Sequence, residues 1–325
     1  MTKILGMGNA LVDIMTKLDH DGILDKFSLP KGSMQLIDIE KSDKLLSASK
    51  HLEKQLTSGG SAANTIHGLA KLGIETAFMG KVGKDEFGKF FHTDLKNSKI
   101  NPVLFFSKSH SGRVVALISN DSERTFATHL GAAIELSADD LKSELFKGYN
   151  YFHIEGFLVQ NHELLHKAVQ LAKENNLMVS LDLASYNVVE DNLEFLKTIL
   201  IKYVDILFAN EDEARAFTGK EPEEALEILS ELCEIAVVKT GSKGSLIKKG
   251  NEKHKIDVIK VESFDTTGAG DLYASGFLFG LSKNYPLKKC GKIGTILAGK
   301  VIEILGAKMD DKKWEEVKAM IENID

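Results

Sequence analysis

The sequence predicts an α/β fold of three layers, α/β/α, with a mostly parallel central sheet and a small β-sheet lid. Three observations carry that expectation. Short β-rich apolar runs alternate with longer segments of helical spacing through the second half, which implies right-handed crossovers and a parallel sheet covered on both faces. The same alternation is present near the N-terminus. Two stretches then break the rhythm with strands that no helix separates.

The first half opens with a strand, "KILGMG" (3–8), and continues with helix 61–72, strand "TAFMGKVG" (76–83) and helix 85–97. Residues 11–18 and 33–39 read as strands, and "NPVLFFS" (101–107), "SGRVVALIS" (111–119) and "RTFATHL" (124–130) form a β-only run. These out-of-register strands predict a discontinuous lid built from about 11–39 and 101–130, placed to cover a site. In the second half the strands are "YNYFHIEG" (149–156), "LMVSLDL" (177–183), "VDILFAN" (204–210) and "IAVVKTG" (235–241), with helices over 162–175, 191–202 and 222–232. Four prolines and no low-complexity or repeated stretch leave no interdomain linker, so residues 1–325 are expected to form a single domain. In an open α/β sheet, ligands bind beyond the carboxyl ends of the strands. Gly8-Asn9, Asn210-Glu211, Thr240-Gly241 and a glycine-rich segment at 268–270 all fall at such ends.

Bulk composition is that of an ordinary soluble chain, with 43% apolar and 27% charged residues among 325. The net charge of −6 comes from 41 basic and 47 acidic side chains without blocks, so neither a nucleic-acid surface nor a disordered acidic tail is expected. The two cysteines, Cys233 and Cys290, lack metal or disulfide spacing and read as small apolar residues. No signal sequence opens the chain and no apolar run approaches the roughly 18 residues of a membrane span, so a cytoplasmic protein is expected.

Three motifs compete for the chemistry. "GMGNAL" follows the first strand, but Leu11 replaces the third glycine of a dinucleotide fingerprint. No phosphate-binding P-loop pattern occurs. "HELLH" (162–166) matches a zinc pattern, with His162 and His166 on one helix face, which would make the chain a metalloprotease. The same segment sits where the alternation needs a crossover helix, capped by Asn161 and packed through Leu164, Leu165 and Val169.

"SFDTTGAGDLYASGF" (263–277) is the most specific stretch. A helix starting near Gly268 has unpaired N–H groups, and its dipole favours an anion there. Glycines let a phosphate approach the backbone without a Cβ in the way. Asp271 in the first turn would repel that phosphate unless it takes a proton from a hydroxyl attacking phosphorus.

"DTTGAGD" (265–271) resembles the C-terminal signature of the ribokinase-like, or PfkB, carbohydrate and nucleoside kinases. "GGSAANT" (59–65) is similar to that family's substrate-side diglycine with its asparagine, and "GKVGKDEFG" (80–88) to its N-terminal signature. "NEDE" (210–213) is similar to its N-x-x-E motif and "VKTGSKGS" (238–245) to its nucleotide loop. The five occur in the family's order over essentially the whole chain. The resemblance implies ATP and Mg2+ as cofactors, with K+ a further candidate. It makes Asp271 the general base and Gly268, Ala269 and Gly270 the anion hole. Asn210 and Glu213 would hold Mg2+ through water; their plainer reading is a helix cap. Thr240, Gly241, Gly244 and Ala298 would line the ATP side, with Lys300 near the adenine, and Asp265 matches a monovalent-cation position. For the acceptor it implies Asn9, Asp13, Gly59, Gly60 and Asn64, with Arg124 either meeting the phosphate or substrate on lid closure or lying in solvent.

The resemblance leaves the acceptor open. "GNALVDI" and "GGSAANT" are similar to the adenosine kinase branch, which phosphorylates the ribose of a purine nucleoside, whereas Glu155 at a strand end is a residue that the ribokinase branch also uses near its sugar. Phe105, Phe106 and Phe126 are candidates to sandwich a base. A ribokinase- or fructokinase-type sugar kinase and a catalytically silent sugar-binding protein of the same fold are the alternatives. Both a monomer and a homodimer joined through the lid are compatible with exposed β edges.

Overall fold

The computed structural model describes residues 2–121 and 123–324. In chain order the first elements are β1 (Lys3–Met7), β2 (Leu11–Lys17), α1 (Gly22–Lys26), β3 (Met34–Leu36), α2 (Ile39–Ala48), β4 (Lys54–Gly59), α3 (Ser61–Lys71), β5 (Glu75–Gly83) and α4 (Glu86–Asn97). Then come β6 (Ile100–Ser107), β7 (Gly112–Ile118), β8 (Arg124–His129), β9 (Tyr151–Glu155), α5 (His162–Glu174), β10 (Met178–Asp182), α6 (Tyr186–Asp191), α7 (Leu193–Tyr203) and β11 (Ile206–Asn210). The chain ends with α8 (Glu211–Thr218), α9 (Pro222–Leu229), β12 (Ile235–Lys239), β13 (Ser245–Lys249), β14 (Glu252–Ile256), α10 (Ala269–Ser282), α11 (Leu287–Val301) and α12 (Asp311–Glu322).

A nine-stranded sheet runs in the order β14-β13-β12-β11-β10-β9-β1-β5-β6, parallel throughout except for β13 and β14 at one edge. Its central strands are buried on both faces, and the period-2 alternation divides them between two cores. Ile4, Ile206, Phe208 and Val237 join the helical layer that includes α3, α10 and α11. Leu5, Met7, Leu207 and Val238 join the opposite layer with α5, α7, α8 and α9. That is the expected three-layer arrangement. Among the described residues no helix is long and apolar enough to cross a membrane.

A second, five-stranded sheet has the order β3-β8-β7-β2-β4. Its membership differs from the expected lid in two ways. Strand β6 lies in the large sheet, paired in parallel with β5 from Thr76↔Ile100 to Gly83↔Ser107. Strand β4, which was not anticipated, pairs antiparallel with β2 at the small sheet's edge. The chain passes from β1 in one sheet to β2 in the other through Gly8-Asn9-Ala10, so the two sheets meet at the carboxyl end of a central strand. Cys290 is buried and Cys233 half-buried, and burial pushes both thiols up to about 12, as befits packing residues.

Candidate active site

The strand ends and the small sheet enclose a cavity of about 1440 Å3. One wall comes from the carboxyl ends of β9, β10, β11 and β12, through Glu155, Asp182, Asn210 and Lys239. The facing wall comes from the small sheet, including Asp13, Arg124 and Phe126.

Between them lies the start of α10. Gly268 is its N-cap, with φ 77° and no side-chain cap; the Ala269 N–H donates to the Thr266 carbonyl oxygen at 3.2 Å, whereas the Gly268 and Gly270 N–H groups have no acceptor among the described residues. Asp271 follows in the first turn, and two α3 side chains hold it. Ser61 Oγ donates to one carboxylate oxygen at 2.7 Å and Asn64 Nδ2 to the other at 2.9 Å. Burial pushes Asp271 up to about 6, against the downward pull of those two hydrogen bonds. It stays ionised at neutral pH, yet is far more basic than an exposed aspartate, which suits a proton acceptor.

Both diglycine positions are dictated by neighbours. A Cβ on Gly59 would lie 2.2 Å from Asp13 Oδ2, and one on Gly60, at φ 99°, would lie 2.2 Å from the Asn9 carbonyl oxygen. Asn9 and Asn64 are buried, and the Oδ1 atom of each has no hydrogen-bond partner among the described residues although both side chains line the cavity. Unsatisfied buried acceptors at a cavity wall are suited to hydroxyl donors on a ligand.

At the other end, Lys239 Nζ donates to Asp182 at 2.7 Å with both side chains largely buried. Burial alone would depress the lysine, but Asp182 and Glu213 carry its pKa upward, so it stays an ammonium. It also reaches the first turn of α10, since a Cβ on Gly270 would meet Lys239 Nζ at 3.1 Å. Asn210 and Glu213 form a reciprocal cap on α8. Asn210 Oδ1 accepts from the Asp212 and Glu213 N–H groups, and Glu213 accepts from the Asn210 N–H at 2.7 Å and its Nδ2 at 2.6 Å. The capping reading is thus realised, and both residues still face the cavity. Burial pushes Glu213 up to about 7.

The sequence model of the pfkB family of carbohydrate kinases matches residues 32–313. The chain belongs to this family. A solved structure of a probable sugar kinase from Rhizobium etli CFN 42 is 32% identical, with a TM-score of 0.86 over 98% of this chain and 99% of that one. Adenosine kinase from Sinorhizobium meliloti is 30% identical, with a TM-score of 0.86 over the same shares. A nucleoside kinase from Methanocaldococcus jannaschii is 30% identical, covering 94% of both chains.

Within that family frame, most of the expected site residues converge on the cavity. Thr240 is buried in the turn that Gly241 and Gly244 shape, and a Cβ on Gly244, at φ 94°, would lie only 1.9 Å from the Ile256 carbonyl oxygen. Ala298 and Lys300 lie on α11 outside the cavity wall, and Lys300 Nζ pairs with Glu303 at 3.1 Å. Glu155 lines the cavity with its carboxylate engaged by the protein. Its oxygens accept from the N–H groups of Asn9 and Ala62 at 2.9 Å each and from Asn9 Nδ2 at 2.8 Å, fixing the β1–β2 junction to α3. Arg124 is not solvated: it pairs with Asp265 and donates to Thr267 Oγ1 at 2.8 Å, joining the small sheet to the segment before the anion hole.

The zinc alternative fails on geometry. His162 stacks on Phe195 with centroids 3.8 Å apart and pairs its Nε2 with Asn192, while His166 turns its Nε2 to Tyr203. Of the three phenylalanines singled out, Phe126 lines the cavity, whereas Phe105 packs into a core and Phe106 is exposed on β6. Sequence reasoning missed Ser61, Asp182, Lys239, Phe157 and Lys308. Ser61 lies inside the quoted "GGSAANT", Lys239 inside the nucleotide-loop motif and Phe157 two residues past Glu155, so spacing offered a signal for those three.

Proposed function

We propose that this family member transfers the γ-phosphate of ATP to the primary hydroxyl of a ribose-bearing, adenosine-like nucleoside. The observation that carries the reading is Asp271. It is a half-buried carboxylate with a raised pKa, oriented by Ser61 and Asn64 in the first turn of a helix with no side-chain cap, on the wall of the cavity. In this reading the Asp271 carboxylate accepts the acceptor's hydroxyl proton as that oxygen attacks phosphorus. The N–H groups of Gly268 and Gly270, with the Lys239 ammonium beside them, meet the charge on the transferred phosphoryl; the third expected donor, the Ala269 N–H, is taken by the Thr266 carbonyl. Asn9, Asp13, Gly60 and Asn64 hold the sugar.

Mg2+ is assigned to the opposite end, held through water by Glu213 and Asn210, since no group of three carboxylate, His or Cys residues among the described residues is placed to ligate a metal directly. Glu213 already accepts from Asn210 on both oxygens, which suits contact through water. When bound, the ion would neutralise the phosphate oxygens of ATP. A K+ at Asp265 fits less well: that carboxylate already accepts from Arg124 and from the Thr267 and Gly306 N–H groups.

The apolar part of the cavity favours a nucleoside over a free sugar. Phe126, Phe157, Met34, Leu36 and Ile134 line it, and Phe157, Met34, Leu36 and Ile134 are exposed toward it or its mouth. A pentose gives such surface nothing to bury, whereas a base does. ADP release measured side by side with adenosine, inosine, cytidine, ribose and fructose tests the reading. A nucleoside should give the highest kcat/KM; preference for ribose or fructose would replace it with a sugar kinase.

A further inference from the structure

Lys308 lines the acceptor half of the cavity and has no part in the reading above. It follows Gly306, at φ 75°, and Ala307, whose Cβ lies against Gly268, so the anion hole and Lys308 are carried on one short segment. Among the described residues its ammonium has no carboxylate within ion-pair distance. Its only hydrogen bond among the described residues is a long one, 3.5 Å to Ser58 Oγ. Asp13 lines the same space from β2, and its carboxylate accepts no hydrogen bond among the described residues. Two opposite charges therefore face one cavity without touching, and neither is satisfied.

The surrounding charges make this arrangement costly unless something fills the gap. Asp13, Asp94 of α4 and Asp271 of α10 all face Lys308, with Lys71 and His67 of α3 on the same side. Burial pulls the lysine down to about 8 and pushes Asp13 up to about 7, and each of the two opposes the shift of the other. His67 is kept neutral, chiefly by burial. The gap needs a group that accepts from an ammonium and donates to a carboxylate. A hydroxyl does both; an ether or a methylene does neither.

We propose that Lys308 determines acceptor specificity by clamping a secondary hydroxyl of the sugar between its ammonium and the Asp13 carboxylate. The ammonium donates to the hydroxyl oxygen, and the hydroxyl donates to Asp13. This rests on the kinase reading but not on the nucleoside one, since a free pentose carries the same hydroxyls.

The test is a cycle between enzyme and substrate. kcat/KM is measured for wild type and Lys308→Met with adenosine, 2′-deoxyadenosine and 3′-deoxyadenosine, and with D-ribose and 2-deoxy-D-ribose where wild type accepts ribose. For the hydroxyl-bearing acceptor the variant should lose about 10- to 100-fold, the range for a hydrogen bond to a charged group. For the deoxy acceptor lacking the clamped hydroxyl it should lose under about threefold, because wild type has already forfeited that contact. Lys308→Arg should recover much of the discrimination. Equal losses on every acceptor would overturn the inference while leaving the kinase reading intact. No phosphoryl transfer by wild type to any of them would instead overturn the ribose-bearing acceptor, and the clamp with it, while leaving the kinase class standing. Should the methionine variant not fold, Lys308→Gln carries the same comparison.

Discussion

Asp271 is held near a pKa of about 6 by opposing effects, and removing one of them gives a prediction with a sign and a size. Burial raises the carboxyl; Asn64 and Ser61 lower it by donating to the ionised form. Ser61→Ala deletes the 2.7 Å hydrogen bond to Oδ1 and leaves Asn64 in place. A hydrogen bond to a charged group contributes about 1.5–3 kcal/mol, and one pKa unit is about 1.4 kcal/mol, so the full loss is about 1 to 2 units upward. Ser61 borders the cavity, where water can replace part of that contact, so the expected shift is about one unit. A base must be ionised to work, so a higher pKa moves the acid limb of the rate profile to higher pH. At pH 6 the ionised fraction falls from about half to about a tenth, and above pH 8.5 the two enzymes converge. Asp13 and Glu155, each pushed up to about 7, chiefly by burial, titrate nearby, as does Glu213. Comparison of kcat profiles at saturating substrate, with and without Ser61, isolates the Asp271 limb. A Ser61→Ala variant slowed by the same factor at every pH, or with its acid limb moved downward, would refute the reasoning.

Two further perturbations follow from the same geometry. Gly268→Ala places a Cβ at φ 77° and 2.5 Å from the Ala307 Cβ. That costs on the order of 1–3 kcal/mol of backbone strain and tilts the anion-hole N–H groups, so thermal unfolding should drop and kcat should fall by about 10² with acceptor KM little changed. Lys239→Met removes the ammonium between Asp182 and Glu213, stranding a buried carboxylate at a cost of about 3–5 kcal/mol. The double variant Lys239→Met/Asp182→Asn should recover the unfolding temperature but not phosphoryl transfer; recovery of both would remove Lys239 from the anion hole.

Local patterns carried much of this fold and site, and their failures share a cause. Alternation located most strands and crossover helices because each is set by its own period. It could not assign β6 to a sheet, since Ile100–Ser107 runs into β7 without a helix and only its pairing with β5 decides the matter. Strand β4, "KQLTSG", is polar and lies at an edge, so it gives no apolar alternation. Asp271 was legible from its own glycine-rich stretch, and Asn64, Asn210 and Glu213 from the resemblance of their motifs to the family's. The spent carboxylate of Glu155 was not, because its partners Asn9 and Ala62 lie 146 and 93 residues away. Lys308 was invisible for the same reason: its environment is made by β2, α4 and α10, and nothing adjacent in sequence marks it.

The most direct test of the account is Asp271→Asn, which keeps the shape of the side chain but cannot take a proton. On whichever acceptor wild type prefers, ADP release should fall by at least about 10², while the unfolding temperature and acceptor affinity stay close to wild type. Near-full turnover by a folded Asp271→Asn enzyme would contradict the assignment of the base, and with it the reading of the cavity.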